Sequence, residues 1–314
     1  MRIGLVVDSS CDLPVGFFQQ NNVVILPITV KIGSAVLADH RNEEATLQFL
    51  DAHIATRGAE AETMPFTVDQ IRELFLKRLV IDYDYVFCLT ITKNRSPIFD
   101  NATQASFGIL NDYRPIRSAA GHNTPFALRV IDTQNFFAAQ GIPTLEAAAM
   151  IAAEESPPKI RARIEHIAQQ TQGYMIPRDL HYMRARTRLK GDNSVSLLSA
   201  TIGTALDIKP IILAHRGDTV PVAKVRGFEP AARKLFLHAA DRVRGGLLTP
   251  HVAIGYGGQL DEMRALPGYN SLRGVCADHN VNLHESVMSL TGMVNVGKGA
   301  LVVGFATDAP PFKD

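Results

Sequence analysis

Met1-Arg-Ile-Gly-Leu-Val-Val-Asp8-Ser9-Ser10-Cys11-Asp12-Leu13-Pro14 opens the chain, and its reading decides the architecture. Ile3 to Val7 is a short continuous apolar run, the pattern of a strand covered on both faces in a parallel α/β sheet. It stops abruptly at a carboxylate and two hydroxyls. A helix is expected next: Asp12 stands at an N-cap position, and Pro14 suits a first helical turn, where a missing N–H costs nothing. Ligands of open α/β sheets lie outside the carboxyl ends of the strands, which puts Asp8, Ser9 and Ser10 where a polar group would be gripped. Capping of a turn by the same side chains is the competing reading.

Outward from this unit, Val23 to Ile28 reads as a second strand, and Leu47, Leu50 and Ile54 mark a helix over Thr46 to Ile54. Thr67 is placed to cap a helix carrying Ile71, Leu74 and Phe75, followed by strands at Tyr85 to Ile91 and Phe126 to Ile131. Strand-then-helix alternation implies parallel crossovers and a doubly wound first half. Ser156-Pro157-Pro158 closes an alanine-rich helix and starts another, which places a domain link there. The rhythm then changes. Lys209 to Leu213 and Thr219 to Val225 flank a hairpin signal at Gly217-Asp218, and further strands are expected at Val252 to Gly255, Asn282 to Met288 and Leu301 to Phe305. Helices near Pro230 to Arg242 and Leu260 to Ala265 interrupt them, so the second half reads as α+β with a partly antiparallel sheet.

A chain of 314 residues with 46% hydrophobic and 20% charged residues has material for two cores, here residues 1–156 and 157–314. Its formal net charge of +1 argues against a dominant attraction to nucleic acid or to a membrane surface. Cys11, Cys88 and Cys276 are too few and too far apart for a disulfide framework. With no signal-peptide pattern at Met1 and no apolar stretch long enough to span a bilayer, a cytoplasmic protein is expected, not an integral membrane one.

Catalytic motifs are sparse. Gly255-Tyr-Gly257-Gly258 lacks the third glycine of a dinucleotide turn, because Leu260 occupies that place, and Gly297-Lys298-Gly299 lacks the spacing of a phosphate loop. Both read better as close backbone approaches. His279 and His284 near Cys276 have no fourth ligand, so no metal is expected, and no Gly-x-Ser-x-Gly elbow is present. Hydroxyls do recur at strand ends: Ser9, Ser10, Thr90, Thr92, Ser96 and Thr133. Such groups hold a carboxylate or carbonyl without activating a nucleophile, although each alone is also a cap.

Six segments carry a resemblance: Val7 to Pro14, Leu26-Pro27-Ile28 with Asp39, Val130-Ile131-Asp132-Thr133, Ile208-Lys209-Pro210-Ile211-Ile212, Lys224-Val225-Arg226, and Val296-Gly297-Lys298-Gly299-Ala300-Leu301. In their order and spacing the chain resembles the DegV family of bacterial lipid-binding proteins from the first residue almost to the last. The resemblance implies an N-terminal Rossmann-like domain and a C-terminal α/β domain with a long-chain fatty acid or related lipid between them. It also implies a non-catalytic carrier with no cofactor, able to present the acyl carboxylate to a separate fatty acid kinase subunit. A hydrolase or transferase working at the same cleft through Asp8, Asp132 and the hydroxyls is the alternative.

Carried over position by position, the family's Ser-Gly-Thr loop falls on Ser96-Pro97-Ile98, keeping only the serine. Its Thr-Ser-Gln-Pro-Ser segment falls on Glu62 to Phe66, leaving Thr63. A Gly-Gly-Arg stretch falls on Arg186-Thr187-Arg188, retaining Arg188, and a histidine before the terminal motif is Asn295 here. The implied ligand-binding set is therefore Ser96, Thr63, Asn295 and Arg188, with Ser9, Ser10 and Thr92 added from the strand-end hydroxyls. Asn295 cannot carry charge and Glu62 repels a carboxylate, so an esterified or neutral head is an open alternative. The stretch from Gly108 to Pro125 looks long for the family and is a candidate cover for the pocket mouth or for a partner surface.

Overall fold

The computed structural model describes residues 1–54, 60–189 and 207–312. Strand β1 (Ile3–Asp8) lies in a parallel sheet of order β2-β1-β6-β7, with β2 Val24–Leu26, β6 Tyr85–Thr90 and β7 Ala127–Asp132. Its apolar run is buried from Gly4 to Asp8, as a strand sandwiched between layers requires. Pro27 ends β2 early. Having no N–H to give a ladder, it lets the chain leave for a separate three-stranded antiparallel sheet, β4-β3-β5, formed by β3 Ile28–Ile32, β4 Ala35–Ala38 and β5 Glu62–Pro65. The single strand expected over Val23 to Ile28 is thus two strands in two sheets.

The second half is a mixed six-stranded sheet of order β10-β9-β8-β13-β11-β12. Its strands are β8 Thr171–Ile176, β9 Ile208–His215, β10 Asp218–Arg226, β11 His251–Tyr256, β12 Asn282–Val287 and β13 Leu301–Ala306. Only β11 and β12 run parallel. The β9–β10 hairpin turns at Arg216 and Gly217, both with positive φ, one residue before the expected Gly217-Asp218. That is the backbone of a two-residue hairpin turn whose twist matches its strands.

The helix Phe137–Ala152 packs on β8, β11 and β13 and also touches β1, so the last helix of the first half is a layer of the second sheet. One buried apolar cluster accordingly runs from Leu5, Val7 and Phe87 through Ile142 and Ile164 to Ala253 and Val302. Another lies on the far face of the six-stranded sheet, where the helix Phe228–Gly245 covers Tyr174, Val303 and Phe305. Among the described residues, no helix is long and apolar enough to cross a membrane.

Thr67 caps its helix as expected, in a reciprocal box with Gln70. Asp12 does not cap. The short helix Val15–Gln20 starts after Pro14 without a side-chain cap, and Asp12 is turned inward. Both glycine motifs are structural. Gly257 donates to Ala300 O and accepts from Gly299 N, and a Cβ on Gly257 would stand 3.0 Å from Gly297 O. The two loops meet backbone to backbone, and the amides of Gly257, Gly297 and Gly299 are occupied.

Candidate ligand-binding site

Residues from both halves enclose a cavity of about 460 Å³. Ile28, Ile91, Phe136, Phe137, Met175 and Ile212 supply an apolar wall where the sheets approach. Most of the polar side chains come from four other places: Thr63 on β5, Asn94 to Ser96 on the loop after β6, Arg186 on the helix Leu180–Leu189, and Thr291 and Asn295 on the helix Leu290–Val296. Thr219 of β10 closes the set.

Three of the expected residues therefore share the lining. Ser96 Oγ accepts the Ile98 amide at 3.3 Å, which leaves its proton free to donate. Thr63 is half-buried, while Glu62, its neighbour on the strand, is exposed and absent from the lining. Strand alternation separates them, so Glu62 does not oppose an anion in the cavity. Asn295 Nδ2 donates to Thr291 O at 2.8 Å.

The remaining expected residues are elsewhere. Ser9 Oγ accepts the Ile28 amide, and Ser10 Oγ is held between Asp8 and Gln140. Both hydroxyls brace the end of β1 and neither lines the cavity. Thr92 is buried and does not line the cavity, its Oγ1 without a hydrogen-bond partner among the described residues. The side chain of Arg188 lies outside the described residues. No residue from Gly108 to Pro125 lines the cavity: this stretch forms the helix Tyr113–Ala119, whose buried Arg117 bonds Val80 O, Tyr83 O and Asp84. It buttresses the parallel sheet.

Arg186 was not singled out from sequence. It is 3% exposed, donates to Ala61 O and lies 3.5 Å from Asn295 Oδ1 through Nη2. Burial lowers its pKa from the usual arginine range, yet a guanidinium keeps its charge in a protein. The signal was present, because Leu180, Met183 and Arg186 recur at helical spacing and all three are buried. Arg95 brings a second guanidinium, bonded to Thr219 Oγ1 at 2.9 Å.

Beneath the cavity lies a buried polar junction. Asp12 Oδ1 accepts the Ser289 amide at 2.8 Å and faces Arg41 Nη1 at 3.3 Å; Asp39 accepts the amides of Arg41 and Leu290; Arg41 Nη2 donates to Val287 O. These bonds fix the start of the helix that carries Thr291 and Asn295. Burial pushes the carboxyls of Asp8 and Asp39 upward and that of Asp12 to about 7, against the pull of Arg41 on the last two. Asp8 itself accepts from Ile91 N and Gln140, and Asp132 from Gln134 N; neither lines the cavity. His279 bonds Val275 O and His284 pairs with His251, and among the described residues no three His, Cys, Asp or Glu side chains gather as metal ligands.

A family model described as an uncharacterised protein of the DegV family matches residues 2–308. The chain belongs to the DegV family. A DegV domain-containing protein of Xanthomonas axonopodis pv. citri is 65% identical over 312 residues, 99% of each chain. A fatty acid-binding protein of Thermotoga maritima is 24% identical over 240 residues, 75% of each. Among solved structures, the DegV fatty acid binding protein of Bacillus subtilis superposes with a TM-score of 0.77 at 18% identity, covering 98% of this chain and all of that one. A stearic acid-binding protein of Eubacterium ventriosum gives 0.76 at 18% identity, over 97% and 98% of the two chains. The DegV fold, with its parallel four-stranded sheet and mixed second sheet, is shared throughout.

Proposed function

We propose that this DegV protein binds a long-chain fatty acid in the cavity between residues 1–156 and 157–314, as a carrier and not as a catalyst. The observation that carries the reading is the composition of the lining: two guanidiniums and four hydroxyl side chains beside an apolar wall, with no Asp, Glu, His, Lys or Cys among the described lining residues. An acyl tail needs the wall, and a carboxylate gains from charge-assisted hydrogen bonds to Arg186 and the hydroxyls. Hydrolysis or group transfer needs a base within reach of a nucleophile, and the described lining residues offer none. The cation at Arg186 also favours an acid over the esterified head that Asn295 left open. The names of the relatives agree: one is a fatty acid-binding protein, another binds stearic acid.

Asn94 and Pro97, which flank Arg95 and Ser96, are exposed. A head group held there stands near the surface, within reach of a second protein, which suits presentation of the carboxylate to a kinase subunit. Native mass spectrometry of the purified protein, with extraction of whatever it carries, tests the reading. A bound mass equal to a fatty acid is expected, or its appearance on mixing; a protein that stays unliganded with every fatty acid offered refutes it. Ser96→Ala is expected to weaken binding of a free acid by about 1 to 2 kcal/mol, the scale of one hydrogen bond to a charged acceptor, with the melting temperature little changed. Unchanged affinity in a calorimetric titration removes Ser96 from the head-group site.

A further inference from the structure

We propose that Phe137 is a rigid stop that sets the longest acyl chain the cavity admits, an inference that rests on the fatty-acid reading above. Phe137 has φ of +54°, in the left-handed region, where a bulky side chain is an outlier held only by its surroundings. Its ring is 5% exposed, lines the cavity and meets Phe136 edge-on with centroids 4.9 Å apart. The strained backbone aims the second of two adjacent aromatics at the cavity. An extended residue would alternate away from Phe136.

The backbone behind the ring has no room to retreat. Phe137 O accepts the Asp12 amide at 3.2 Å, and Asn135, two residues earlier, is itself anchored by donating through Nδ2 to Thr171 O and Ala214 O. Two residues on, Ala139 is pressed onto two strands at once: a Cβ on Gly304 would stand 2.5 Å from Ala139 Cα, and one on Gly173 2.7 Å from Ala139 Cβ. Only glycine on β8 and β13 permits so close an approach. Met175 and Met183, elsewhere in the lining, are unbranched thioethers that shift to fit. The lining therefore combines adaptable methionines with an immobile ring at Phe137.

A hard stop gives a steep upper limit. Titrating a homologous series of saturated fatty acids, lengthened two carbons at a time, affinity should rise to a maximum and then fall by about tenfold or more at the next member, the scale set by misfit of a methylene in an apolar pocket. Phe137→Ala should move the maximum to a longer acid. Phe137→Gly should do the same and melt higher than the alanine variant, because glycine adopts this φ without penalty. Phe137→Leu, which keeps much of the bulk, should shift it less. Folded variants that bind fatty acids with the wild-type length profile overturn the stop and leave the fatty-acid reading intact. A wild type that binds no acid of any length overturns both.

Discussion

Replacing Arg41 with alanine is expected to cost about 3 to 5 kcal/mol of stability at pH 8, the range for removing one partner of a buried ion pair. Arg41 is 3% exposed and is the cation between two fully buried carboxylates, Asp12 and Asp39. Without it, both folded-state pKa values climb further above the unfolded carboxylate range. The sign follows from proton counting: the folded state then holds protons that the unfolded state has released, so stability falls as pH rises through that window. The penalty should accordingly be smaller at pH 5 than at pH 8. In the wild type the same slope is present but shallower, since Arg41 opposes the burial that brings Asp12 to about 7. Urea unfolding at the two pH values measures this directly. Equal penalties at both, or a loss below about 1 kcal/mol, would show that the junction is not held by charge. Because Asp12 and Asp39 accept the amides of Ser289 and Leu290, ligand affinity should drop along with stability.

Arg186→Met is expected to weaken binding of a free fatty acid by roughly 10- to 100-fold while leaving the methyl ester little affected. The factor corresponds to about 1.5 to 3 kcal/mol, the worth of a hydrogen bond involving a charged group. Methionine retains the length and apolar stem, so the change chiefly removes the guanidinium. Paired calorimetric titrations with acid and ester separate charge from packing. If both ligands lose affinity by the same factor, Arg186 acts by holding Ala61 and Asn295 in place, and the carboxylate is gripped elsewhere.

The sequence by itself determined the elements that a local pattern controls. The run Ile3 to Val7 reads as a strand buried on both faces because a layer on each side demands apolar residues at consecutive positions, and Thr67 reads as a cap because its partner Gln70 is three residues away. The resemblance to the DegV family likewise marked Ser96, Thr63 and Asn295, which line one cavity although three different elements bring them there. What local pattern could not supply is any property set by residues remote in the chain. Asp12 looks like a helix cap within its own segment; its partner amide belongs to Ser289, 277 residues away, and its counter-charge to Arg41. Ser9 and Ser10 sit at a strand end like any ligand-gripping pair, yet Ile28, Asp8 and Gln140 engage them first. Pro27 was visible, but only the packing decided that the chain after it would found a third sheet. The cavity arginine turned on the phase of one helix: Arg186 shares the buried face of Leu180 and Met183, and only the docking of that helix against Ala61 and Asn295 fixes which face is buried. Local chemistry writes strands, caps and turns, whereas the charge balance of a buried site is decided by tertiary contacts, because burial multiplies the cost of an unmatched charge and the matching group can come from anywhere in the chain.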